Sequence, residues 1–323
     1  MRRAAALAIA CLLLLAGCAA GPRKAGLAGD TAVHDPALVV GSGGDPWFVY
    51  STGGAAADGA IQVRRSDDGV TWQYAGVVWK QRPAWIDEAV RGVGPLWAPE
   101  LVEHDGTWYL YYAASTFGSN HSVIGLATNT TLDPADEAYE WVDRGPVLES
   151  LTSDDFNAID PGIVVDREGV PWMAFGSFWS GIRMVQLEWP SGLRADHKEP
   201  LRLADRGTPP NAIEAPAILE HGGEYFLFVS FDSCCQGLNS TYNVAVGRSD
   251  EVTGPYLDRD GTPMLDGGGT VLLATGGDRI GPGGESASNG FLGYHFYDGT
   301  AAGAPRLAIS RIDWDAEGWP LVD

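Results

Sequence analysis

The chain has 323 residues, which suits one large domain or two small ones. With 45% hydrophobic and 20% charged residues it has enough apolar side chains for a core, and this excludes a mostly disordered chain. The formal charge of −21 should repel nucleic acid, anionic membrane surfaces and polyanionic substrates, whereas a neutral polymer would not be repelled.

The amino terminus has the features of a secretory signal. Two arginines are followed by an apolar run that ends at Leu15 and is shorter than the ~20 residues of a membrane span. The sequence Leu-Ala-Gly-Cys at 15–18 resembles a bacterial lipobox, which predicts removal of residues 1–17 and acylation of Cys18. Cleavage nearby and free secretion is the alternative. In both cases we expect a mature protein outside the cytoplasm, with residues 18–29 as a flexible tether.

Similar segments recur along the rest of the chain, residues 30–323. Each has a proline at its start, a short apolar strand, a turn, and an apolar or aromatic strand. The starting prolines are separated by 63, 62 and 55 residues, each about the length of one four-stranded sheet with its loops. They are Pro36, Pro99, Pro161 and Pro216. A fifth unit is predicted to begin near Pro282.

These repeats predict an all-β fold, a five-bladed β-propeller. Segments such as Trp108–Tyr112 and Tyr225–Val229 are short, aromatic or β-branched, and bounded by Gly or Asp turns. The second of them is apolar on both faces, as expected of a strand between neighbouring blades. Helices for a parallel sheet of βαβ units are lacking. A β-sandwich stays an alternative, because periodicity does not determine whether the sheets close into a ring.

Three of the repeats carry a carboxylate beside the starting proline, namely Asp35, Asp160 and Glu214. Equivalent strands of a propeller surround one axis, so these groups should meet in a central depression. A single Asp-Pro pair, such as Asp45-Pro46, is a common turn opening. Three carboxylates at matching places instead predict a catalytic site, because nearby like charges shift pKa values and glycoside hydrolysis needs an acid and a base.

The remaining cysteines, Cys234 and Cys235, are adjacent in the chain. Their spacing excludes a fold-wide disulfide framework and any zinc-type motif. Two partly buried thiols and a vicinal disulfide that stiffens one loop are both compatible with the sequence.

Eight short motifs occur in a fixed order from about Asp30 to Asp323. They are HDP at 34–36, LWAPE at 96–100, NAIDP at 157–161, GSFWSGI at 176–182, IEAP at 213–216, SFDSCCQG at 230–237, VGRSDEVTGPY at 246–256 and GYHFYDG at 293–299. Together they resemble the arabinanases of glycoside hydrolase family 43. The resemblance implies a five-bladed propeller that cleaves α-1,5-linked L-arabinofuranose chains with inversion, in an endo-acting manner.

The resemblance also implies roles for individual residues. Asp35 would be the general base, Glu214 the general acid, and Asp160 the carboxylate that raises the pKa of the acid and positions it. His295 would lie at the bottom of the depression beside a bound cation, usually calcium. The motif at 281–286 departs from the family, because Gly284 stands where many arabinanases carry a histidine.

Other residues are predicted to contact the sugar. Trp97, Phe117 and Trp179 could each stack on the C–H face of a furanose, with core packing as the alternative for each. Asn157 and Ser177 match family positions near the sugar hydroxyls.

Two other functions stay open from the sequence. The same fold could release single arabinofuranose or xylose units, since the loops around the depression decide between endo and exo cleavage. A surface lipoprotein that binds arabinan without cutting it is the alternative of another class. The expected partner is a neutral polysaccharide and not nucleic acid, with membrane contact only through Cys18, and we expect a monomer.

Overall fold

The computed structural model describes residues 26–54 and 57–322. The predicted signal segment and Cys18 lie outside the described residues. Within them, strands dominate, and the α-helix is one short segment, α1 (Trp85–Ala89). No helix among the described residues is long and apolar enough to cross a membrane. Single 3-10 turns occur at Ala57–Gly59, Gly237–Asn239, Met264–Asp266 and Gly299–Ala301.

The strands of the described residues form five blades that follow one another along the chain, and one separate two-stranded hairpin. The first blade contains β1 (Ala28–Gly29), β2 (Ala37–Val39), β3 (Trp47–Ser51), β4 (Gln62–Ser66) and β5 (Thr71–Val77). The second contains β6 (Trp97–His104), β7 (Thr107–Ala114), β8 (Ser122–Asn129) and β9 (Val142–Ser150). The third contains β10 (Gly162–Val165), β11 (Pro171–Phe175), β12 (Ile182–Glu188), β13 (Leu193–Arg194) and β14 (Leu201–Ala204).

The fourth blade contains β15 (Ile213–His221), β16 (Glu224–Phe231), β17 (Asn243–Ser249) and β18 (Thr270–Leu273). The fifth contains β19 (Arg279–Ser288), β20 (Phe291–Asp298) and β21 (Ala304–Arg311), and β22 (Asp313–Trp314) pairs with β23 (Pro320–Leu321) in a separate hairpin. Hydrogen-bonded neighbours within a blade pair antiparallel, except that β1 pairs parallel with β5. The predicted count of four strands therefore holds for the second and fourth blades but not for the others.

The blades close into a ring around one axis. In each blade, the strand at the starting proline is called the first main strand. These strands are β2, β6, β10, β15 and β19. Each contacts the next in this order, and β19 contacts β2. The segment before β2 strengthens this closure, because the N–H of Leu307 in β21 donates to the carbonyl of Thr31 at 2.8 Å. The five-bladed propeller is thus confirmed, and the β-sandwich alternative is wrong.

Apolar side chains of the inner strands hold neighbouring blades together. In β16, the alternate residues Tyr225, Leu227 and Val229 pack against the third blade, whereas Phe226 and Phe228 pack against the fifth. Successive side chains of a strand point to opposite faces, so a strand between two blades must be apolar on both. Because each such side chain contributes roughly 1.5–3 kcal/mol when it is buried, the blades stabilise one another.

Candidate active site

The topology places several loops around the start of each first main strand. Because the second main strand of a blade runs antiparallel to the first, it ends at the same end of the propeller where the first begins. The loops after β7, β11, β16 and β20 therefore lie at this end of the propeller and surround the central depression. Phe117, Trp179 and the Cys234-Cys235 pair lie on three of these loops.

The five blade starts meet around a small cavity of about 20 Å³ on the axis. One residue of each start has a left-handed backbone, with φ between 41° and 61°. These residues are Asp35, Ala98, Asp160, Ala215 and Gly284. A non-glycine residue in this region costs of order 1–3 kcal/mol, and such strain is concentrated at functional sites.

This equivalence holds for two of the three predicted carboxylates. Asp35 and Asp160 occupy matching positions, but the residue that matches them in the fourth blade is Ala215, so Glu214 lies one position earlier. Glu214 is buried, with 6% of its surface exposed, and it is not among the residues that line the axial cavity.

Gly284 is required by the close approach of two side chains. A Cβ atom at this position would lie 2.7 Å from Oδ1 of Asp35 and 2.8 Å from Nδ1 of His295, both too short for a real contact. The backbone φ of 61° independently disfavours a side chain here. The absence of a side chain at Gly284 therefore allows Asp35 and His295 to approach each other.

The surroundings of Asp35 favour its ionised form. Its Oδ2 accepts a hydrogen bond from the hydroxyl of Thr52 at 2.7 Å and lies 2.8 Å from Nδ1 of His34. Burial alone would raise the pKa of Asp35, but the neighbouring His34 and the Thr52 hydroxyl outweigh burial and lower it well below its ordinary value. A carboxylate that stays ionised can act as a general base.

The surroundings of Glu214 favour its protonated form. Burial raises the pKa of Glu214, and the charge of Asp35 adds to this effect. Hydrogen bonds from the hydroxyls of Ser177, at 2.5 Å, and Tyr242 oppose the shift without cancelling it. A buried carboxyl that keeps its proton can act as a general acid.

Asp160 resembles Glu214 in that its surroundings also favour the protonated form. Its Oδ2 accepts the backbone N–H of Ala215 at 3.2 Å, directly beside Glu214. Burial raises the pKa of Asp160 well above its ordinary value, followed by the charges of Glu214 and Asp35. Burial is thus the first cause of the raised pKa at both Asp160 and Glu214, whereas the sequence predicts charge repulsion from an ionised Asp160 as the cause.

His295 is fully buried beside Asp35, as the resemblance implies, but its nitrogens are engaged within the protein. Nδ1 accepts the backbone N–H of Asp35 at 3.2 Å, and Nε2 lies 3.3 Å from the hydroxyl of Tyr297. The ligand atoms of His34, Asp35 and His295 lie within 4.8 Å of one another, but they are two nitrogens and one oxygen. Calcium takes six to eight oxygen ligands, so this set does not fit calcium. The calcium ion stays a prediction from the resemblance, and we derive no catalytic step through it.

The predicted sugar-binding residues differ in their accessibility. Phe117 is 85% exposed and Trp179 is 40% exposed, while Trp97 is half-buried at the start of β6. Asn157 is only 3% exposed, and its side-chain oxygen accepts a hydrogen bond from Ser122 at 2.7 Å. Phe117 and Trp179 are thus available for stacking, whereas Asn157 is committed to a contact inside the protein.

Several residues contact the catalytic carboxyl groups although the sequence does not predict them. Thr52 and Tyr242 lie in no repeated motif, and no local pattern marks them as partners of Asp35 and Glu214. Ser177 is predicted to contact sugar, but in the structure it donates to Glu214. His34 could have been found from the HDP motif that contains Asp35. The structure also joins Cys234 to Cys235 in a disulfide, one of the two alternatives.

Comparisons with known proteins agree with this geometry. Residues 30–320 match the protein family described as "Glycosyl hydrolases family 43". The chain is 38% identical over 293 residues to an extracellular endo-alpha-(1->5)-L-arabinanase of Bacillus subtilis, which covers 89% of this chain and 87% of the relative. It is also 38% identical over 308 residues to an extracellular exo-alpha-(1->5)-L-arabinofuranosidase of Cellvibrio japonicus, with 90% and 86% covered. The solved structure of an endo-arabinanase from Bacillus licheniformis has a TM-score of 0.85 at 39% identity, with 92% and 99% covered.

Proposed function

This chain belongs to glycosyl hydrolases family 43 and is a glycoside hydrolase, and from that premise we propose that it cleaves α-1,5-linked arabinofuranose chains with inversion. The observation that carries the proposal is that Asp35, whose surroundings lower its pKa, and Glu214, whose burial raises its pKa, are neighbours at the same end of the propeller axis. Relatives at 38% identity carry names for cleavage of this linkage, which supports arabinan as the substrate.

The two carboxyl groups divide the chemistry of hydrolysis. Asp35 removes a proton from a water molecule, which attacks the anomeric carbon. Glu214 donates its proton to the glycosidic oxygen, so that the leaving sugar departs as a neutral alcohol. Asp160 holds the backbone N–H of Ala215 and thereby fixes the chain next to the acid. The exposed rings of Phe117 and Trp179 would bind neighbouring sugars by stacking.

We further propose that the protein acts outside the cytoplasm. The two relatives named above are both called extracellular, and residues 1–17 have the features of a secretory signal. Acylation of Cys18 and a monomeric state remain predictions from the sequence.

Linear arabinan should be cleaved to oligosaccharides of mixed length at early times, because we propose that the site accepts internal linkages. Chromatography of products from purified residues 19–323 would measure this. If arabinose is the sole product from the first time point, exo cleavage replaces endo cleavage as the assigned activity. Exo cleavage is the second candidate because the Cellvibrio japonicus relative is named an exo-arabinofuranosidase. Release of nothing from linear or debranched arabinan would leave arabinan binding without cleavage as the better account.

A further inference from the structure

His34 contacts the base Asp35 but has no part in the chemistry above. Its Nδ1 lies 2.8 Å from Oδ2 of Asp35, and its Nε2 lies 2.9 Å from the hydroxyl oxygen of Tyr297. Its ring stacks on that of His295 with centroids 3.8 Å apart. The position of His34 is thus fixed from three sides.

The hydrogen bonds of His295 determine where its proton lies. Because Nδ1 accepts the backbone N–H of Asp35, the proton of the neutral ring must be on Nε2. A ring nitrogen that accepts this N–H carries no proton, so the ring is neutral. Its Nε2–H therefore donates to the hydroxyl oxygen of Tyr297, 3.3 Å away.

A second donor reaches the same oxygen. The backbone N–H of Cys235, in the disulfide-bonded pair, donates to the Tyr297 hydroxyl at 2.7 Å. A phenolic oxygen has two lone pairs and one hydrogen, so two incoming donors leave only its O–H to give. Ser240 is a further neighbour of this oxygen, and we assign the hydrogen to Nε2 of His34, which lies 2.9 Å away.

The direction of these hydrogen bonds determines whether His34 presents an N–H group or a lone pair to Asp35. With Nε2 of His34 accepting from Tyr297, the proton of a neutral His34 lies on Nδ1 and donates to Oδ2 of Asp35. If His34 gains a second proton, Nδ1–H still faces Asp35. Thr52 donates to the same Oδ2, and no donor among the described residues reaches Oδ1 within hydrogen-bond distance. Oδ1 is therefore left to accept the proton of water.

We propose that Tyr297 and His34 are positioning residues for the general base, and that the backbone N–H of Cys235 sets the direction of the hydrogen bonds that reach Asp35. The inference rests on the proposed role of Asp35 as the base. Without the Tyr297 hydroxyl, His34 can adopt its other tautomer and turn a lone pair toward the carboxylate, which disfavours the ionised base.

The substitution Tyr297→Phe removes the hydroxyl and keeps the ring. We expect kcat on arabinan to fall about 10- to 100-fold, part of the range that general acid–base catalysis contributes, with KM nearly unchanged. The acidic limb of kcat/KM should move to higher pH, because Asp35 loses a stabilising donor. Tyr294→Phe is the matched control, since Tyr294 lies on the same strand and its hydroxyl is near Ser310 instead. It should behave like the wild type.

Two substitutions of His34 separate positioning from packing. The side-chain amide of His34→Asn can place an N–H near the position of Nδ1, whereas His34→Leu cannot donate. We expect the asparagine variant to retain much more activity than the leucine variant at equal thermal stability. The proposal would be overturned if Tyr297→Phe kept the wild-type kcat and the wild-type acidic limb of kcat/KM. Equal losses of activity in the two His34 variants would also overturn it.

A spectroscopic measurement separates failure of this inference from failure of the proposed function. Nitrogen-15 NMR of histidine-labelled protein reports the tautomer without any substrate. We expect His34 to carry its proton on Nδ1 in the wild type and to lose that preference in Tyr297→Phe. Protonation of His34 on Nε2 alone in the wild type contradicts the inference even if arabinan is cleaved. An Nδ1–H tautomer in a protein that cleaves no arabinan supports the hydrogen-bond direction and rejects the proposed function.

Discussion

Replacing Glu214 with glutamine should reduce cleavage of arabinan by about 10²- to 10⁴-fold while sparing binding. The amide keeps the shape of the buried side chain and can still accept from Ser177, but it has no proton of suitable acidity for the leaving oxygen. An aryl arabinoside whose leaving group needs little protonation should lose much less activity than the polymer. Equal losses on the two substrates would remove Glu214 from the acid role.

Glu100 provides a matched control for this substitution. It lines the axial cavity together with Asp35 and Asp160, and burial raises its pKa to about 8, so it is also protonated near neutral pH. Glu100→Gln therefore changes a similar buried carboxyl group that has no assigned part in the reaction. It should leave the cleavage rate of both substrates close to that of the wild type.

Replacing Asp35 with asparagine should cause a comparable loss, about 10²- to 10⁴-fold, for a different reason. The amide cannot take a proton from water, and the need for a base does not depend on the leaving group. The loss should therefore be similar for arabinan and for the activated aryl arabinoside, in contrast to Glu214→Gln. Steady-state kinetics on both substrates would measure this contrast. Restoration of activity by a better leaving group in Asp35→Asn would contradict the base assignment.

The fold could be predicted because its signals are local and repeated. The starting prolines recur at similar intervals, and strands such as Tyr225–Val229 are apolar on both faces, which is a consequence of packing between two blades. The strand count of each blade could not be predicted in the same way. Short segments such as β13 and β22 contain only two residues each and carry too little pattern to be recognised.

The carboxyl groups of the site could be predicted, but most of their partners could not. Asp35, Asp160 and Glu214 lie in repeated motifs, whereas Tyr242 reaches Glu214 from a separate loop, 28 residues away. His295 contacts Asp35 across 260 residues of sequence. Such contacts depend on how the blades close, and no local pattern encodes that closure. The left-handed backbone at Asp35 is likewise imposed by the ring and not by an Asp-Pro turn alone.

The central claim is a single displacement at the anomeric carbon, with Asp35 activating water and Glu214 protonating the leaving oxygen. Room for that water requires the two carboxyl groups to stand roughly 6.5–9.5 Å apart, whereas a nucleophilic carboxylate would lie at about 5–5.5 Å and form a covalent sugar ester. Proton NMR of the newly formed reducing end, recorded before mutarotation, distinguishes the two courses most directly. A single displacement predicts that the β-anomer appears first from an α-linked substrate. An initial α-anomer would contradict the assignment of Asp35 as a general base.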